Sequence, residues 1–167
     1  MIDVALADEL GLPESERGRL VDCARAILAA EGPPRSTLSL AVIDDGAMHE
    51  LNRRYLDHDY PTDVISFVLE AGPDWLDGEV IASGETASQV APGYGWSAAE
   101  ELLLYIVHGT LHIVGYDDGT DAAREQMRER ERHYLSQLGI ELPAPRHPPR
   151  QSSPGATRRF NRGNTVS

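Results

Sequence analysis

The chain contains no lysine; all 15 of its basic side chains are arginines. It has one cysteine, Cys23. A single thiol cannot build a disulfide framework, so a reducing compartment is expected. No long apolar run is present either. The most apolar stretch, LLLYIVHGTLHIVG, is shorter and more polar than the roughly 20 apolar residues that cross a bilayer. The opening MIDVALADEL holds acids where an export signal would hold basic residues. These absences lead to the expectation of a cytoplasmic protein with no membrane partner.

What is present is acid, unevenly placed. Residues 1–141 carry all 27 acids and ten arginines, a net −17, while residues 142–167 carry five arginines and no acid, a net +5. An acidic body argues against coating DNA, because nonspecific phosphate binding runs on basic contacts, but it leaves room for a local basic groove.

The 167 residues suffice for one domain with a real core. The expected division is a folded unit over 1–141 and a disordered tail over 142–167. The tail is rich in Pro, Ser, Gly and Arg and has no apolar period. Its arginines either touch RNA or a ribosome or are simply solvated.

Within the body, strand-like and helix-like segments alternate. Strands are expected over 2–6, 37–43, 63–69 and 78–83, from runs such as TLSLAVI and DVISFVL. Helices are expected over 14–30, with Leu20, Ala24, Ile27 and Leu28 inward, and from Asp44 or Asp45 to Leu56, with Met48, Leu51 and Tyr55 inward. A further helix over 83–91 should stop before Pro92. The helix from Ala98 is the best marked. Ser97 and Glu100 form a capping box, LLLYIV makes it apolar nearly all round, and Gly115 suits its end. A last helix over 121–138 places Met127, Tyr134, Leu135 and Leu138 inward and ends at Gly139.

The central helix runs into HGTLHIVGYDD, residues 108–118. His108 and His112 are four apart, which sets both imidazoles on one helix face about 5–6 Å apart at Cβ. Gly115 lets the chain turn back, and Asp118 follows where it can supply a third ligand. Two imidazoles and one carboxylate leave a coordination position open to water, the pattern of a catalytic rather than a structural metal site. The competing reading is a pair of satisfied core histidines. The zinc peptidase frame also begins H-x-x-x-H, but its general base is a Glu beside the first His. That position is Gly109 here.

The same stretch resembles the signature of the YbeY family, bacterial metal-dependent endoribonucleases of rRNA maturation, which reads H-G-x-L-H-L-x-G-Y-D-H. LNRRYLDHDYPTDVISF, residues 51–67, is similar to the family's L-N-x-x-Y-R-x-x-D-x-P-T-D-V-L-S-F, and GEVIAS, 78–83, to its G-D-I-x-I-S. The resemblance spans roughly residues 38–139. It implies an α+β fold, a small mixed four-stranded sheet packed with about five helices, the central helix carrying the metal ligands. It also implies single-stranded RNA, rRNA in particular, as substrate, with the ribosome or its small subunit as partner, and zinc held by three histidines.

Two positions depart from that pattern. The third histidine is replaced by Asp118, a carboxylate that still suits Zn2+ and also accommodates Fe2+ or Mn2+. The arginine after Tyr55 is replaced by Leu56, so Arg53, three residues earlier, becomes the candidate to stabilise phosphate charge. Asp63 and Ser66 are candidates for substrate or water contacts. Thr62 is expected to shape the turn after Pro61, Tyr116 to pack, and His58 and His133 to lie on the surface. The departures keep two alternatives open: a ribosome-assembly or RNA-binding factor with weak catalysis, and a metal-dependent hydrolase of another substrate.

Overall fold

In the computed structural model, which describes residues 1–56, 63–144, 149 and 151–152, the alternating segments become one mixed sheet with helices packed on it. The strands are β1 (Ile2–Asp8), β2 (Arg35–Ile43), β3 (Val64–Gly72), β4 (Trp75–Ser83) and a two-residue β5 (Gln151–Ser152). Their order across the sheet is β1-β2-β4-β3-β5. β1, β2 and β4 run parallel, and β3 runs antiparallel to β4 through a tight hairpin with a register shift between Val68 and Glu70. The expected four-stranded α+β core is therefore present. β5 adds to the edge of β3 in parallel register, so part of the segment expected to be disordered pairs with the sheet. Tyr55's side chain, His58, Pro61, Thr62 and most of the tail lie outside the described residues.

Five α-helices accompany the sheet: α1 (Glu14–Glu31), α2 (Asp45–Leu51), α3 (Gly84–Tyr94), α4 (Ala98–Ile113) and α5 (Asp121–Ser136). A π-helical turn, Asn52–Leu56, continues α2. α1 buries Leu20, Cys23, Ala24, Ile27 and Leu28, a stripe at helical spacing. Burial pushes the Cys23 thiol up to about 12, so it stays protonated. Asp44 caps α2 by accepting from Ala47 N–H at 2.8 Å. Asp45 does different work: its Oδ1 accepts from the Ser83 and Thr86 hydroxyls at 2.6 and 2.5 Å, which ties α2 to the start of α3.

One expected boundary is corrected. α3 does not stop before Pro92 but carries it in its last turn. Pro92 has no N–H to donate, so that turn lacks one helical hydrogen bond. Gly95, at φ 78°, then provides the left-handed stop. In α5, Met127, Tyr134 and Leu135 are buried as expected, while Leu138 lies just beyond the helix and is half-buried.

Candidate metal centre

α4 is where the site begins. Its capping box is complete: Ser97 Oγ accepts from Glu100 N–H at 3.1 Å, and Glu100 Oε1 accepts from Ser97 N–H at 2.9 Å. From Leu102 to Leu111 every side chain is buried, because α4 packs on β3 and β4 while α1, α3 and α5 cover it. Gly109 permits the close approach. A Cβ there would lie 2.6 Å from Val80 Cγ1 and 3.1 Å from Ser66 Oγ and Val64 Cγ2. Ser66 Oγ donates to the Gly109 carbonyl at 3.1 Å, which pins the histidine-bearing turn to β3.

His108 is fully buried and His112 nearly so, with ring centroids 4.9 Å apart. After α4 the chain reverses at Gly115, φ 114°, a conformation that favours glycine. Asp118 returns to face the histidines, its Oδ2 3.6 Å from His108 Nε2 and 3.5 Å from His112 Nε2. One ligand atom from each of the three residues lies within 4.8 Å of the others. Asp117 instead shapes the turn, its Oδ1 accepting from Asp118 N–H at 2.7 Å.

The donor set fits a divalent cation. Both Nε2 atoms are buried, and neither has a hydrogen-bond partner among the described residues. Asp118 stands just too far from each for a good hydrogen bond, the separation expected of atoms that share a central ion. Glu131 Oε2 lies 2.5 Å from His108 Nδ1. In the neutral ring Nδ1–H donates to this carboxylate, which leaves the Nε2 lone pair aimed at Asp118 and the cation position. Glu131 is buried on α5, 23 residues from His108, and no sequence pattern links the two.

The electrostatics agree. Burial alone would push the His108 imidazole down, but its contacts with Asp118 and Glu131 outweigh this and hold it up at about 9. The Asp118 carboxyl, beside His108 and then His112, is held far below the usual carboxylate range and is therefore ionised. Without a metal, a proton on His108 takes the cation's place between two carboxylates.

A cavity of about 340 Å³ opens from His108 and Asp118 along α5. Of the residues singled out in sequence for catalysis, Ser66 touches the α4 backbone rather than open space. Asp63 is buried at the start of β3, where its carbonyl accepts from Ser83 N–H at 3.0 Å. Arg53 is exposed on the π-helical turn, 3.7 Å from Glu50, and does not line this cavity. Tyr116 packs as expected, and its hydroxyl donates to Glu31 at 2.5 Å.

The sequence model described as Endoribonuclease YbeY matches residues 14–139. An Endoribonuclease YbeY of Rhodopirellula baltica is 47% identical over 135 residues, spanning 80% of this chain and 70% of that protein. Another, of Desulfitobacterium hafniense, is 40% identical over 148 residues, spanning 80% of this chain and 94% of the relative. A solution structure of a Thermotoga maritima protein superposes with a TM-score of 0.57 at 21% identity, covering 83% of this chain and 92% of that one, a likeness of fold alone.

Proposed function

The chain belongs to the YbeY family of endoribonucleases, and from that membership and the His–His–Asp cluster we propose that it is a metal-dependent endoribonuclease that cuts single-stranded RNA during rRNA maturation. The observation that carries the reading is the convergence of two buried, unbonded imidazole nitrogens and one ionised carboxylate beside an open cavity. His108, His112 and Asp118 would hold one divalent ion, with zinc favoured by the nitrogen-rich donor set and Fe2+ or Mn2+ accommodated by the carboxylate. Such an ion supplies Lewis acidity, lowering the pKa of a water from ~15.7 towards ~7 and polarising a phosphoryl oxygen.

The chain's own residues do the rest. Glu131 fixes the His108 tautomer. Asp118 contributes a formal negative charge where the family pattern has a neutral ring, so the site is less acidifying than one with three imidazoles. Ser66 and Gly109 set how deeply the histidine turn sits against the sheet. Arg53, Asp63 and Ser66 stay as candidates for substrate-side roles. We place the catalytic unit in residues 1–141, with the basic tail over 142–167 as a contact for RNA or the ribosome. Action in the cytoplasm at the small ribosomal subunit follows from the same reading. No described helix is long and apolar enough to cross a membrane.

Leu56, in place of the motif arginine, favours one second reading: an RNA-binding assembly factor that keeps the metal and cuts weakly. The deciding experiment loads purified protein with Zn2+, measures bound metal by elemental analysis, and follows cleavage of a single-stranded RNA. One bound ion, with cleavage abolished in His112→Ala, is expected. Full metal occupancy without cleavage selects the assembly factor. Unchanged occupancy in Asp118→Ala would remove Asp118 from the ligand set.

A further inference from the structure

α5 carries four of the ten arginines found in residues 1–141, and they do not all face the same way. Arg130 turns towards α1, where its Nη2 and Nε donate to Glu31 Oε2 at 2.9 and 3.2 Å. Arg124, Arg128 and Arg132 line the cavity that His108 and Asp118 open into. These three are spaced four residues apart, so they form one stripe with a step of about 6 Å along the helix axis. That step is of the order of the separation between successive phosphates on an extended strand. We propose that Arg124, Arg128 and Arg132 form a phosphate track that seats the backbone of a single RNA strand against the metal-binding cluster. The inference rests on the endoribonuclease reading and assigns the substrate-binding face that reading lacks.

Two of the three guanidiniums are already held in place. Arg124 Nη1 donates to the Asp118 carbonyl at 3.2 Å, and its Nη2 pairs with Asp121. Arg128 is largely buried, its Nη1 3.8 Å from Glu131 Oε1, the same carboxylate whose other oxygen meets His108. Arg128 is thus linked through Glu131 to the cluster. Arg132 is exposed one turn further on. Pre-positioned planar guanidiniums lose little freedom on binding and match phosphate oxygens two at a time.

The cavity's charge couples the track to the metal. Its lining holds three arginines against four carboxylates, Asp118, Asp121, Glu125 and Glu131. A divalent cation held at His108, His112 and Asp118 adds positive charge to this lining beside the three guanidiniums. A polyanion should be drawn more strongly to the loaded cavity than to the bare one, so RNA binding and metal binding reinforce each other.

The test is equilibrium binding of a fluorescent single-stranded RNA to the full chain across a salt series, with and without Zn2+, alongside KM and kcat. Arg124→Gln/Arg132→Gln changes two exposed positions, and because Arg124 also holds the Asp118 carbonyl, the variant's RNA binding is compared with the wild type at matched zinc content. It should weaken RNA binding by about tenfold or more. It should also lower the salt slope by roughly 1.4, the loss of two single-strand phosphate contacts. KM should rise more than kcat falls, and adding Arg128→Gln should deepen the loss. Removing zinc from the wild type should weaken RNA binding by about tenfold. Arg19→Gln/Arg25→Gln on α1, a matched change of charge away from the cavity, should bind as the wild type does. If the wild type cuts RNA and the α5 variants retain its affinity and salt slope, the track is overturned while the endoribonuclease reading stands. A zinc-loaded wild type that neither binds nor cuts single-stranded RNA overturns both.

Discussion

Glu131 determines which nitrogen of His108 is offered to a cation. Its carboxylate takes Nδ1–H at 2.5 Å inside the protein, and Nε2 is left facing His112 and Asp118. A neutral amide in its place is a weaker acceptor and can turn its NH2 towards the ring, so the tautomer is no longer enforced. Glu131→Gln is therefore expected to weaken zinc binding by about tenfold, the low end of what carboxylates behind a histidine ligand contribute. Competition with a chromophoric chelator measures this, and wild-type affinity in the variant would show that the carboxylate does not orient the ligand. Gly109 shows the opposite case, a residue whose place in the motif is a matter of packing. Where a zinc peptidase has its general base, this chain needs the space, because any side chain there meets Val80 and Val64.

Three elements meet on one carboxylate. Glu31, the last residue of α1, accepts from the hydroxyls of Tyr116 and Tyr134 and from the Arg130 guanidinium. Tyr116 belongs to the turn that delivers Asp118, and Arg130 precedes Glu131 on α5. The knot therefore holds the ligand-bearing turn and the supporting helix at a fixed separation. Glu31→Ala should lower stability by about 1–3 kcal/mol, the range for hydroxyls and a charge that lose their partner. It should also weaken zinc binding by several-fold through loosening of the Asp118 turn. Thermal melts and chelator competition read the two effects separately, and a drop in melting temperature with zinc affinity intact would make the knot structural only. None of this knot was legible in the sequence, since its members lie 85 to 103 residues apart and hydrogen bonds at that range leave no local pattern. The same limit hid Glu131 and the strand order β1-β2-β4-β3. What could be read was local. The Ser97–Glu100 box, the His108–His112 spacing, the reversal at Gly115 and the buried stripe of α1 each depend on residues within a few turns of one another. The expected stop before Pro92 fell three residues short, since α3 runs on to Tyr94 and ends at Gly95.

At the scale of the whole molecule, the buried His108 makes stability depend on pH, and a metal ion bound in place of its proton should weaken that dependence. In the metal-free fold the His108 imidazole is held at about 9, above its ordinary 6.5. Below pH 6.5 the ring is protonated both folded and unfolded, and the contribution of its two carboxylate contacts is fully present. As pH rises from 6.5 through 9 the folded protein must give up a proton it binds more tightly than the unfolded chain does, and that contribution is lost. On the proposed ligand set zinc would take the place of the proton, so the two compete, and the apparent zinc affinity should rise by up to about tenfold per pH unit across this window. The metal-free protein should therefore melt at a lower temperature at pH 8 than at pH 6.5, while the zinc-loaded protein changes less. The difference between the two should widen as pH rises, because mass action adds stability in step with affinity. Scanning calorimetry at several pH values, with zinc and with a chelator, checks this. Asp118 stays ionised throughout, so the widening belongs to His108, and Glu131→Gln should flatten it by removing one of the two carboxylates that hold the imidazole's proton.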